Sequence, residues 1–294
     1  MGAVAALLSS ALWAFTSVLL ASQAGRMRPV VMSAIRSATA SVVIFGLLLA
    51  SNGLPQMRDM AVITAVSMAG SGVLGQALGD TLYINALGFL GVSRTFPITN
   101  SAYPFLTFVL AVLLLGESLA WTLPVGGALI VGGISWIVVE QRRADAAGSV
   151  RVELVRGVVF AIAAAMAWAG ATVWLRGQQG NLDAFGAASL RIPAASLAVW
   201  ATIAMTRGDS PPLRQLTARS IAIVGLAGLL GTGVGGVLFI YAVESIGAAK
   251  TAFVTTCAPV FALPMGVAFL GERLTPRILL GTAITIAGIW LVLL

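Results

Sequence analysis

Hydrophobic runs of about twenty residues, broken by short clusters of charge, proline, glycine and asparagine, follow one another along the whole chain. A helix rises about 1.5 Å per residue, so about 20 mostly apolar residues cross the hydrocarbon of a bilayer. On that rule the pattern predicts ten spanning helices, over 2–22, 30–50, 60–86, 93–115, 121–139, 157–175, 184–206, 218–243, 248–270 and 276–294. The first run has no basic stretch before it and exceeds the roughly 7–15-residue core of a signal peptide, so it reads as a spanning helix. Short breaks make consecutive helices antiparallel neighbours. The longest polar stretch, Glu140 to Arg156, divides the chain into a five-helix unit over 1–141, a linker over 142–156 and a second unit over 157–294.

The two units repeat. GAVAALLSSALWA (2–14) aligns with GVVFAIAAAMAWA (157–169), pairing Trp13 with Trp168 at an offset of 155, and Arg36 pairs with Arg191 at the same offset. GVLGQALGDTLY (72–83) follows GLLGTGVGGVLF (228–239) at 156, and LLLGESL (113–119) follows AFLGERL (268–274) at 155. An odd number of crossings per unit turns the second copy over. The expected fold is therefore all-α and integral to a membrane, with two inverted repeats around a central cavity, an arrangement that solute transporters use. A duplicated bundle without a transport role is the plainer alternative.

Composition agrees. The 294 residues are 59% apolar and 9% charged, against about 45–50% and 25% in soluble domains. The lone Cys257 and the absence of histidine leave no disulfide framework, and no metal or other cofactor is expected. The net charge of +7 does not point to nucleic acid, because the basic residues sit singly between apolar runs. Twelve loop arginines follow the odd-numbered helices, whereas Arg58, Arg176 and Lys250 are alone in the other loops. Positive-inside reasoning then puts the linker in the cytoplasm and both termini outside. No Walker-type phosphate loop occurs, so ATP is not expected as a partner.

Polar side chains at bilayer depth tend to face a bundle interior or a wet cavity. Helical spacing puts Trp13 and Ser17 on one face of helix 1, and Gln76, Asp80 and Tyr83 on one face of helix 3. It groups Asn100 and Tyr103 on helix 4, Trp168 and Thr172 on helix 6, and Thr255 and Thr256 on helix 9. These faces are expected to line a cavity suited to a small amphipathic or zwitterionic solute. The bland alternative is that the hydroxyls bond their own helix carbonyls. Pro97, Pro104 and Pro259 are expected to bend helices 4 and 9 and serve as gating points. The glycine pairs Gly75/Gly79 and Gly231/Gly235 read as sites of close helix packing.

The chain resembles the ten-helix, EamA-type branch of the drug/metabolite transporter superfamily. The resemblance is carried by the duplicated Trp-Ala pairs, Arg36 and Arg191, YINAL (83–87) with GVSRT (91–95), and the pairs Gly116-Glu117 and Gly271-Glu272. It implies secondary transport or export of small metabolites, often amino acids or drug-like compounds, without ATP. A monomer in a bacterial-type inner membrane is expected, and the lack of histidine, clustered acids and a nucleophile motif points away from an enzyme. Small multidrug relatives place an essential glutamate in their first helix, and helix 1 here has no acid. A multidrug exporter of cationic compounds is the rival reading, and a non-transporting membrane enzyme or assembly factor is the alternative from another class.

The intramembrane charges are the sharpest feature. Arg36 and Asp80 fall at similar depth on antiparallel helices and are expected to pair, directly or through water. Asp80 could couple transport to protons or Arg36 could hold a carboxylate, and a structural pair is the alternative. Arg191 has Gly236 where Asp80 would stand. It is expected to snorkel or to bond carbonyls.

Overall fold

The apolar runs are helical in the computed structural model, which describes every residue except 24–25, 51–59, 91, 118–119, 143–150, 181, 206–216, 259 and 262–275. Helix α1 is Gly2–Ala21 and α2 is Pro29–Ala50. Helix α3 runs over 62–90 as Val62–Gly72, a π-helical Val73–Gly79 and Asp80–Leu90. Then come α4 (Val92–Leu115), α5 (Thr122–Arg142), α6 (Arg151–Gln178) and α7 (Ala184–Met205). Helix α8, Ala218–Ile246, repeats the α3 pattern, with its π-helical stretch at Gly228–Val234. Helices α9 (Ala248–Thr255) and α10 (Pro276–Leu293) complete the order, and no strand occurs among the described residues.

Seven of these, α1 to α4 and α6 to α8, are long and apolar enough to cross a membrane. Helices α5 and α10 carry shorter apolar segments, Thr122–Gly133 and Leu280–Leu293, and most of the run assigned to α9 lies outside the described residues. The ten spans expected from hydropathy are thus seen in part. The stretch read as a linker is also shorter than expected. Helix α6 starts at Arg151, because RVELVR continues the helix past the apolar boundary with charges and aliphatics interleaved.

The packing is reciprocal between the halves. Helix α1 lies against α8 as α3 lies against α6, while α2 meets α7 and α5 meets α10. Each first helix thus touches the other half's third, as two-fold related units do. Two glycines permit the closest backbone-on-backbone approaches. A Cβ on Gly72 would fall 2.3 Å from the Arg191 carbonyl oxygen, and one on Gly228 would fall 2.4 Å from that of Arg36. These are equivalent positions, so one backbone-on-backbone contact occurs twice. Between α5 and α10, Gly126, Gly133 and Gly288 allow a similar approach.

Alanines fill much of the interior, including Ala34, Ala40, Ala161, Ala165, Ala169, Ala187, Ala188 and Ala252. Small residues suit helices that gain little from hydrophobicity and must pack by contact. The outer surface carries large apolar side chains such as Val42, Leu113, Leu197 and Trp290, each more than 70% exposed. Lipid, rather than water, covers such a surface at least cost.

Candidate functional site: a polar cavity between the halves

The charged residue pair and both π-helical stretches meet at one place. Ser33, Arg36 and Ser37 come from α2, Gln76 and Asp80 from α3, Ala195 and Val199 from α7, and Thr232 from α8. They enclose a cavity of about 10 Å³, room for roughly one water molecule. Gln76 and Thr232 each lie within a π-helical stretch. Such turns carry an extra residue and recur at functional positions.

Arg36 reaches across the halves and donates from Nη2 to Thr232 Oγ1 at 3.3 Å. Asp80 reaches the other way and accepts at Oδ1 from Trp168 Nε1 at 3.0 Å. The two charges act on each other, yet no ion pair joins them directly among the described residues. Three buried lining atoms have no partner: Ser33 Oγ, Arg36 Nε and Gln76 Oε1. Buried polar atoms without partners are uncommon and costly. Here they converge on one small space with a cation and an anion.

Trp168 is the hub of an aromatic wall beside this cavity. Its ring lies 5.2 Å from Tyr83 and 6.3 Å, edge-on, from Tyr103. The Tyr103 hydroxyl meets Thr172 Oγ1 at 3.2 Å, and Thr172 donates to the Trp168 carbonyl at 2.8 Å. Gly79 makes room for the indole, since a Cβ there would fall 2.7 Å from Trp168 Nε1. Gln76, Asp80, Tyr83, Tyr103, Trp168 and Thr172 therefore assemble, although they come from three helices and both halves.

Other expected residues do not join them. Ser17 is exposed and donates back to Trp13. Thr255 and Thr256 are buried and donate to the carbonyls of Thr251 and Phe253 in their own helix. A hydroxyl that can satisfy itself within its helix does so. Trp13 donates to the Gly231 carbonyl at 3.0 Å and packs on Phe239, so it braces the π-helical stretch of α8 rather than lining the cavity. Asn100 is half-buried on α4 and outside the lining. Pro97 and Pro104 stand within α4, the latter buried, and Pro259 lies outside the described residues.

Arg191 corrects its expectation. Among the described residues it bonds a hydroxyl rather than a carbonyl, and its side chain is buried rather than extended to the surface. It is 5% exposed, and Nη1 donates to the Ser71 hydroxyl of the opposite half.

Sequence reasoning missed Ser33, Ser37 and Thr232. Thr232 was findable, because it is the counterpart of Gln76 at the offset of helices 3 and 8. Glu117 was also missed as a structural group. It accepts from the backbone N–H groups of Ala248 at 2.8 Å and Ala249 at 3.2 Å, and so caps α9 from the other half. A carboxylate there meets unpaired amides and the positive end of the helix.

The family model described as the EamA-like transporter family matches residues 1–139 and 155–294, once for each half. The chain belongs to the EamA-like transporter family. Members of this family are transporters rather than enzymes, and the apolar helices make this member an integral membrane protein. The family assignment also agrees with the drug/metabolite transporter superfamily. A solved structure described only as "Crystal structure of protein" is similar over 99% of this chain and 94% of its own, with a TM-score of 0.80 and 18% identity. At that identity the likeness is one of fold. No curated protein matches the sequence.

Proposed function

We propose that this EamA-like protein is a secondary carrier that moves a small zwitterionic metabolite, with amino acids the leading class, by alternating access. One observation carries the reading. The cavity between two reciprocally packed halves holds one cation, Arg36, and one anion, Asp80, with hydroxyls, an amide and an aromatic wall. A carboxylate and an ammonium on one solute match that pair, and rings cover its apolar part. In the closed form the space is too small for such a solute, so the halves must part to admit it.

The odd-crossing repeat supplies the motion. With ten spans, the halves are inverted about an axis in the membrane plane, and rocking one against the other exposes the same site to alternate sides. The twelve arginines in the breaks and helix ends that follow the odd-numbered spans favour a cytoplasmic linker and outside termini. Export across a bacterial-type inner membrane by a monomer is the direction and setting we adopt. The cationic-drug reading fits less well, because Arg36 repels the solute charge that the aromatic wall would attract.

Uptake and counterflow in proteoliposomes, with panels of amino acids and of cationic dyes, test the proposal. Saturable movement of amino acids above empty vesicles is expected. Dye movement alone would replace the substrate class, and no movement of either would sink the carrier reading. With Asp80→Asn, transport that keeps its rate and pH dependence would remove any coupling role for Asp80. Surface labelling of cysteines introduced at the termini in intact cells is expected. Labelling only after lysis would reverse the orientation.

A further inference from the structure

The two intramembrane arginines are equivalent by repeat and unequal in surroundings. Arg36 has Asp80 on the neighbouring helix of its own half. The position on α8 that corresponds to Asp80 is Gly236, and no carboxylate stands beside Arg191 among the described residues. Arg191 is nonetheless the more buried of the two, with its Nε lacking a partner. Its hydrogen bond runs to Ser71, whose own hydroxyl donates to the Met68 carbonyl at 2.9 Å. Tyr103 interacts with its charge, and the Tyr103 and Thr172 hydroxyls lie together at 3.2 Å.

A guanidinium at this depth is costly unless an anion or a wet cavity accompanies it. Neutral hydroxyls solvate it only in part. The missing element is a carboxylate, and the planar fork of an arginine matches a carboxylate in two-point geometry.

We propose that Arg191 is a second anion station, where the carboxylate of the transported solute binds once the halves part. The solute then supplies the acid that the second half lacks. Arg36 and Arg191 sit equally far, seven residues, from the starts of α2 and α7, which on the inverted-repeat reading begin at opposite sides of the membrane. A carboxylate leaving one arginine has the other ahead of it. This inference rests on the carrier reading above.

Gly236 offers a direct check. A Cβ there would meet its nearest neighbour, Ile192 Cδ1, at 3.6 Å, an ordinary contact. Gly236→Asp therefore grafts the acid of the first half onto the second with its Cβ in ordinary contact.

The experiment uses the purified full-length protein in detergent, with amino acids and the corresponding carboxamides as paired probes, and reads ligand-dependent thermal stabilisation. At least one amino acid is expected to stabilise the wild type more than its carboxamide does. Arg191→Gln should weaken that acid about ten- to a hundredfold and leave the carboxamide unchanged, the size of losing a charged hydrogen-bonded pair. Arg191→Lys should keep most of the preference. Gly236→Asp should remove it while the unliganded melting temperature holds or rises, which covers the case in which Arg191→Gln does not fold. Equal stabilisation by acid and carboxamide in the wild type, or an undiminished preference in Arg191→Gln or Gly236→Asp, would overturn the assignment. Carboxylate preference without solute movement in proteoliposomes would instead sink the carrier reading and leave the anion site standing.

Discussion

The cluster around Arg36 and its counterpart around Arg191 share a backbone and differ in chemistry. In the first, Asp80, Gln76, Ser33 and Thr232 surround a guanidinium with acceptors. In the second, Gly236 replaces the acid, and Ser71 is left as the neighbour that accepts from Arg191. The tryptophans diverge in the same way. Trp168 donates to a carboxylate of the opposite half, and Trp13 donates to a backbone carbonyl. Reciprocal packing keeps the two halves congruent, while the polar side chains are free to specialise. Symmetry here belongs to the scaffold, and asymmetry belongs to the site.

The comparison can be broken first at the scaffold. Gly72→Val and Gly228→Val each force a side chain into a backbone carbonyl of the opposite half. Each should cost about 3 kcal/mol, read as a large drop in melting temperature in detergent. Similar losses are expected for the two, and a harmless change at either position would refute the symmetric scaffold.

The next contrast is between Asp80→Ala and Gly236→Ala. The first strands Arg36 and the Trp168 indole, and should cost about 2 kcal/mol together with most transport. The second adds a methyl group in ordinary contact and should stay within about 0.5 kcal/mol. Equal effects would mean that the clusters do not differ as described.

Trp168→Phe and Trp13→Phe refine the point. Each loses one hydrogen bond, to a carboxylate in the first case and to a carbonyl in the second. Losses of about 2 and about 1 kcal/mol respectively are expected, and chemical denaturation of the purified variants would rank them.

Glu117→Gln is the mildest change. It keeps one acceptor for the α9 amides and loses the charge, for about 0.5 kcal/mol. A larger loss would show that the cap bears more of the contact between halves than its two hydrogen bonds imply.

Much of this architecture was legible in the sequence. Run lengths located the helices, seven of them long and apolar enough to cross a membrane among the described residues, and the near-constant offset located the duplication, because both depend on spacing alone. The cavity was half legible. Gln76, Asp80, Tyr83, Tyr103, Trp168 and Thr172 shared faces that could be read from periodicity. Thr255, Thr256 and Ser17 shared similar faces and still turned back to their own carbonyls, a choice that depends on neighbours rather than on spacing. Ser33 and Ser37 are ordinary helix serines until α7 and α8 close over them. The π-helical stretches were invisible, since Gly-rich sequence is equally compatible with a regular helix.

Those stretches have a consequence for chain length. Residues 73–79 immediately precede Asp80, and a regular helix turns about 100° per residue. Deleting one residue between Gly72 and Asp80 would let α3 relax towards regular geometry with its apolar length hardly changed. Everything beyond would keep its place on the helix, because the widened stretch absorbs its extra residue without turning its flanks, while Gln76 and its neighbours inside the stretch would be re-aimed away from the cavity. The number of residues between Gly72 and Asp80 is therefore as much a part of the site as their identities, and a deletion variant with intact insertion into the membrane and no transport would be its signature.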